Sequence, residues 1–302
     1  MVLVAGATGN LGGRIVKALL AKKAEVRVLV RPTTDQEKIQ AWENQGVSVI
    51  KLEMTNAEQL KQALREVTCV VSALQGLEDV IVEAQLLLLH AAVSAGVPRF
   101  IPSDFSSDFT QIPAGDNRNF DLRRQFHRHL DQAAIASTSI FNGAFTDILA
   151  YNTPLLDLQN NSISYWEDAN WPIDFTTMDN TAEFTAAAAL DEATPEKLVI
   201  ASFRITPTEL KELAEKTTGR DFTIQRMGSR AELTVSIRQN RAEHPEGEKE
   251  LYPQWQQMQY LLSMFSAQAV DLANDRYTGI HWTPASAILS AMALNVPFTS
   301  IK

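Results

Sequence analysis

Three glycines spaced three apart carry the clearest chemistry in this 302-residue chain. They stand in the run Gly6-Ala7-Thr8-Gly9-Asn10-Leu11-Gly12. That pattern suits a diphosphate: the first glycine permits a tight turn, the second lets main chain approach the anion, and the third lets a helix pack against its strand. Thr8, Asn10 and Leu11 complete the set expected to face the ligand. The helix that follows offers unpaired N–H groups and a partial positive charge. The lysine of a nucleoside-triphosphate loop is absent, so a dinucleotide is expected.

The end of the second strand reads Leu29-Val30-Arg31-Pro32. An acidic residue there would accept from a ribose 2′-hydroxyl, whereas Arg31 suits a 2′-phosphate through charge-assisted hydrogen bonds. NADP(H) is therefore the expected cofactor, with Thr33, Thr34 and Lys38 near enough in sequence to assist. The alternative for Arg31 is an ordinary solvated arginine.

Other reactive side chains point to less. The five histidines, His90, His127, His129, His244 and His281, show no zinc spacing, and no metal is expected. Cys69 sits in an apolar strand and reads as a buried, inert thiol. None of the five tyrosines has a lysine four residues on, and there is no G-x-S-x-G elbow. Trp166, Trp171 and Trp282 read as core or cleft-lining residues.

The elements that must position these groups alternate through the first half. Strands are expected at 2–5, 26–30, 47–52, 69–71, 99–102 and 137–141. Helices are expected at 12–20, 36–44, 57–66, 79–95 and 119–134. Such alternation forces parallel strands and a doubly wound α/β sheet of Rossmann type. The second half is less regular, with 151–171 aperiodic, helices at 181–190 and 255–272, a strand at 198–203 and an exposed loop at 241–249. Thr206-Pro207-Thr208-Glu209 is a capping box with proline at the first helical position. The expected domains are a cofactor-binding domain at 1–150, to which segments near 174–204 return, and a smaller α+β substrate-binding domain over most of 151–302.

The bulk composition sets limits. The formal net charge of −9 argues against a nucleic-acid partner. No run approaches the roughly 20 apolar residues of a membrane span. No targeting segment is read ahead of the first strand, and one cysteine fits a reducing cytoplasm.

Taken together, these motifs make the chain similar to the NmrA-like and isoflavone-reductase-like atypical short-chain dehydrogenases. The resemblance spans nearly the whole chain. It rests on the glycine loop, Val30-Arg31, Glu53-Met54, Ser72-Ala73-Leu74 and the run from Phe100 to Phe105. Phe120-Asp121-Leu122, Asn142-Gly143-Ala144-Phe145 and Asn274-Asp275-Arg276-Tyr277 complete it. The resemblance implies Met54 near the adenine, Ala73 and Leu74 near the ribose and diphosphate, and Ser103, Asp104 and Asn142 near the nicotinamide. For Met54, Ala73 and Leu74, core packing is the competing explanation.

The reductases of this group use a lysine on the helix opened by the Phe-acid pattern. The matching residue here is Arg123, and no lysine occurs between Lys61 and Lys197. Arginine keeps its proton but can stabilise an oxyanion or bind an acidic group. Arg123, Asp104 and His127, one helical turn after Arg123, are thus the candidate catalytic residues. Two functions stay open. One is an NADPH-dependent reductase transferring hydride to a small organic substrate, with aromatic or quinone-like molecules among the candidates. The other is a non-catalytic NADP(H) redox sensor that acts on a protein partner.

Overall fold

The structure is a computed structural model that describes residues 1–150 and 153–294. In chain order it runs β1 (Val2–Ala5), α1 (Asn10–Ala21), β2 (Val26–Val30), α2 (Gln36–Glu43), β3 (Ser48–Lys51), α3 (Ala57–Ala63) and β4 (Cys69–Ser72). A π-wound segment, Asp79–Ala84, leads into α4 (Gln85–Ser94), followed by β5 (Arg99–Ile101), α5 (Arg118–Leu130), β6 (Ala136–Ser137), β7 (Ser139–Phe141) and β8 (Ala144–Phe145). Then come β9 (Ser162–Trp166), β10 (Ile173–Thr176), α6 (Met178–Leu190), β11 (Lys197–Val199), β12 (Phe203–Ile205), α7 (Pro207–Thr218) and β13 (Thr223–Gly228). The last helices are α8 (Arg230–Glu243), α9 (Gln254–Met264) and α10 (Ala285–Ala293).

The chain forms two compact units. The first comprises Met1–Phe105, Asn119–Ile140 and Thr181–Leu198; the second comprises Ser106–Arg118, Phe141–Asn180 and Val199–Lys302. The first is built on a six-stranded parallel sheet in the order β3-β2-β1-β4-β5-β6. That is the doubly wound α/β arrangement, and its parallel strands are apolar because helices cover both faces. Leu3, Val70 and Phe100 from the strands pack with Leu60, Leu88 and Phe126 from the helices.

The second unit holds two small sheets, β12-β10-β8 and β13-β9. Their core includes Ile163, Phe175, Leu210, Leu233 and Phe265. The Thr206 capping box opens α7 as expected: Thr206 accepts from Glu209 N–H, the Glu209 carboxylate accepts from Thr206 N–H, and Gly219 ends the helix at φ 68°.

Several expected elements differ, each for a local reason. The strand at 137–141 divides because Thr138 N–H donates to Phe100 O, whereas Ser139 N–H turns to Glu196 O. The strand at 198–203 divides because Asn274 takes both main-chain groups of Ala201. Helix α5 stops at Leu130 instead of 134, and α9 at Met264 instead of 272. Beyond α9 the chain is drawn aside, because Ala269 N–H donates to Asp174 and Ala269 O accepts from Arg204. The stretch 241–249 is no open loop: it completes α8 and forms a 3-10 turn, Pro245–Lys249. Arg118 and Arg241 lie over the Trp255 ring at 4.6 and 4.5 Å, and Gly247 is buried against that indole. The aperiodic 151–171 contains β9, while residues 151 and 152 lie outside the described residues.

Candidate functional site

The glycine loop joins β1 to α1. Gly6 adopts φ +85°, and a Cβ there would lie 2.4 Å from Ala73 O. Gly9 N–H closes the turn on Gly6 O at 2.9 Å. Gly9 is also the N-cap of α1, with no side-chain cap. The first helical bond runs from Gly13 N–H to Gly9 O. The amides of Asn10, Leu11 and Gly12 therefore have no partner within the helix. Thr8, Gly9 and Asn10 are exposed, Leu11 is half-buried, and the Asn10 side-chain oxygen Oδ1 accepts from Arg14 Nε at 2.9 Å. A turn of this kind, with helix amides left over and no side-chain cap on Gly9, is able to receive an anion.

Beside it, Arg31 directly follows β2; it is exposed, and its side chain makes no bond among the described residues. The nearest acid, Asp35, is spent as the cap of α2, accepting from Glu37 N–H at 2.7 Å. Met54 and Leu74 are half-buried and pack on the first unit's core, and Ala73 is half-buried against Gly6.

The site continues along the strand ends of the same sheet. Ser103 follows β5. Its Oγ donates to Leu74 O at 2.6 Å, and its N–H donates to the buried Gln85 side chain at 3.0 Å. Arg123 Nε donates to Ser103 O at 3.0 Å and Nη1 to Asn119 O at 2.9 Å. Nη2 of Arg123 has no partner among the described residues. Residues four apart share a helix face, so His127 meets the next residue, Asp104. His127 Nε2 lies 2.7 Å from Asp104 Oδ2, and Ser139 Oγ donates to that same oxygen at 2.7 Å. Asp104 is 1% exposed. On the other side of the ring, Nδ1 is 3.6 Å from the exposed Asp131.

Burial pushes the His127 pKa down, but the charge and hydrogen bond of Asp104, followed by those of Asp131, outweigh it and leave it raised. The C-terminal end of α5 favours the same protonated form. This corner thus sets the Arg123 guanidinium on the same helix as an imidazole that its carboxylate partners hold toward the protonated form. Ser139 and Gln85 were not anticipated from sequence. The one available signal was Gln85 opening the apolar run 86–89.

Asn142 belongs to the second unit and is fully buried. Its main chain is satisfied by Ser106 O and Thr176 Oγ, yet neither side-chain amide atom has a partner. Such an orphaned amide costs about 1–3 kcal/mol. Burial pushes the Cys69 thiol up to about 12, which makes it unreactive. No group of three or more His, Cys, Asp or Glu able to hold a metal occurs among the described residues, and no helix there is long and apolar enough to cross a membrane.

Comparison with known proteins follows the same outline. A model of the NmrA-like family matches residues 1–281. Pinoresinol reductase 1 of Arabidopsis thaliana is 31% identical over 243 residues, covering 73% of this chain and 75% of that protein. A bifunctional pinoresinol-lariciresinol reductase of Linum usitatissimum is 30% identical over 254 residues, covering 78% and 80%. The structure of AtPrR2 with NADP+ and (+)pinoresinol superposes with a TM-score of 0.79 at 25% identity, over 96% of this chain and 98% of that one.

Proposed function

The chain belongs to the NmrA-like family, and from that premise we propose that it is an NADPH-dependent reductase of a small organic substrate. One observation carries the reading. The glycine loop, Ala73-Leu74, Ser103 and Arg123 form a continuous series of contacts across the C-terminal strand ends of one sheet, where open α/β sheets bind dinucleotides.

The residues present fit the cofactor. Three unpaired amides and a Gly9 whose Cβ position meets only Gly6 O, at 3.2 Å, leave room for a diphosphate. Gly6, Thr8, Gly9, Asn10, Leu11 and Gly12 would hold it. Arg31 would hold the 2′-phosphate, Met54 the adenine side, and Ala73, Leu74 and Ser103 the middle. When bound, NADPH supplies a hydride.

The chain's own groups supply the rest. The unbonded Nη2 of Arg123 offers a fixed positive charge to an oxyanion developing on the substrate. Asp104, held by Ser139, orients His127, and the imidazolium supplies the proton that arginine cannot. Arg123 and His127 thus divide what a single lysine does in the reductases the chain resembles. A reducing compartment such as the cytoplasm suits this chemistry and the lone buried thiol.

A specific observation keeps a second reading in view: Arg123 has two of its three nitrogens tied to main-chain oxygens, as a purely structural residue would. In that case the protein is a non-catalytic NADP(H) sensor. Following absorbance of reduced cofactor with quinones, enals and aryl ketones separates the two. NADPH consumption that falls sharply in Arg123→Ala and loses its pH dependence in His127→Gln supports the reductase. Tight binding without consumption, with unequal affinity for NADP+ and NADPH, supports the sensor.

A further inference from the structure

Helix α4 does not begin as an ordinary helix. Its first residue, Gln85, closes the π-wound segment Asp79–Ala84, and the Gln85 N–H bonds to Val80 O and Val82 O, five and three residues back. Regular α-winding would have bonded it to Ile81 O, four residues back. That carbonyl is taken instead by the Gln85 side chain, whose Nε2 donates to it at 2.9 Å. Wide turns of this kind are rare and recur at functional sites. The extra residue advances every later side chain by about 100°. With one residue fewer, Leu86 would stand in the place of Gln85, and an apolar side chain would meet what Gln85 now meets.

What it meets is the loop after β5. Gln85 is 1% exposed, and its Oε1 accepts from Ser103 N–H at 3.0 Å. A carboxamide has an acceptor end and a donor end, and both are used here, the first on Ser103 N–H and the second on Ile81 O. Glutamate donates only when protonated, asparagine is one methylene short, and methionine offers no donor. Ser103 passes the constraint on. Its Oγ donates to Leu74 O, and its carbonyl accepts from Arg123 Nε at 3.0 Å. Nη1 of Arg123 is tied to Asn119 O of its own helix. Among the described residues, Ser103 O is therefore the contact beyond α5 that directs the guanidinium. Gln125 Nε2, donating to Glu78 Oε1 at 2.9 Å, ties α5 to the start of the same π-wound segment.

We infer that Gln85 is a positioning residue: it fixes the Ser103 main chain and, through the Ser103 carbonyl, aims Arg123. The inference rests on the reductase reading, in which Arg123 meets the developing oxyanion. It adds the residue, and the π-wound turn behind it, that hold this cation in place.

Exchange of the Arg123 Nε–H with solvent, followed by proton–nitrogen NMR on the whole protein and assigned with Arg123→Lys, reads that aim. In the parent, the protection factors of Arg123 Nε–H and Ser103 N–H should agree within about tenfold, because one linkage holds both. Gln85→Met, close in shape, should lower the Arg123 Nε–H protection at least tenfold. The amides of β2 and β3, at the opposite edge of the sheet, should keep theirs. Gln85→Glu should retain protection only while the glutamic acid is protonated, so its protection relative to the parent should fall as pH rises. With NADPH and the quinone, enal and aryl ketone panel, Gln85→Met should lose at least tenfold in kcat, with the Kd for NADP+ changed less than threefold. Parental Arg123 protection in Gln85→Met, a loss shared equally by β2 and β3, a flat pH profile in Gln85→Glu or a parental kcat each overturns the inference. If neither variant folds, the parent decides: protection factors that differ by more than about tenfold overturn it, and matching ones support it. A parent that consumes no NADPH counts against the reductase reading alone, and the exchange data still decide whether Gln85 aims Arg123.

Discussion

Alanine at Gly12 and at Gly9 should break different functions of the same loop. A methyl at Gly12 would lie 2.2 Å from Gly6 O and 2.7 Å from Gly6 C, where ordinary contact begins near 3.4 Å. Both are main-chain atoms of the turn, so no side chain can swing aside and the turn itself must move. Overpacking costs about 1–3 kcal/mol, and a rigid receiving surface places Gly12→Ala near the upper limit. The thermal midpoint should drop by roughly 4–12 °C. At Gly9 the methyl would meet only Gly6 O, at 3.2 Å, and φ −81°, ψ 169° suits any residue. Losing a glycine N-cap costs under about 1 kcal/mol, so Gly9→Ala should fold. Its methyl, however, stands where the diphosphate would approach, and NADP+ affinity should fall at least tenfold, about 1.4 kcal/mol. Thermal unfolding with and without NADP+, paired with calorimetric titration, reads both effects. A Gly12→Ala protein that melts no earlier than the parent would refute the packing argument. A Gly9→Ala protein with full NADP+ affinity would refute the placement of the diphosphate.

Other perturbations follow from the same geometry. Arg31→Asp should weaken NADPH at least tenfold, in line with the roughly 1.5–3 kcal/mol of a charged hydrogen bond, and favour NADH in a competition titration; unchanged NADPH affinity would remove the 2′-phosphate assignment. His127 has a raised pKa, so its ion pair stabilises the fold fully below the ordinary value of 6.5 and loses that contribution as pH climbs through the raised one. Denaturant titrations across that window should show the decline in the parent and a flatter profile in His127→Gln. Arg204→Gln leaves Asp174 buried without its cation; because Arg204 is itself 35% exposed, the loss should be about 2 kcal/mol, below the 3–5 kcal/mol of a fully buried pair. Thr206→Ala removes a capping box and should cost about 1 kcal/mol in the same assay.

Much of the first unit was legible from local signals. A four-residue apolar strand, three spaced glycines and an amphipathic helix each act over a few residues, and together they allow only one arrangement. Helical spacing likewise placed Arg123 and His127 on one face before any fold was known. Their partners were not legible. Ser139 reaches Asp104 across 35 positions, a meeting that only sheet order arranges.

The second unit shows the limit more plainly. Asp174 and Arg204 are paired by the antiparallel register of β10 and β12, and strand register depends on which distant segments align. Asn274 divides a strand by capturing Ala201 from 73 residues away, and the charged 241–249 segment closes over Trp255 through cation–π and ion-pair contacts that no local pattern encodes. The sequence by itself therefore determined the glycine turn, the parallel sheet and the absence of the expected lysine, because turn geometry and periodicity are short-range. Only the tertiary structure decided which buried carboxylate holds a histidine, which is matched by an arginine, and which polar groups remain open to a ligand. Those outcomes depend on desolvation and pairing between groups brought together by folding.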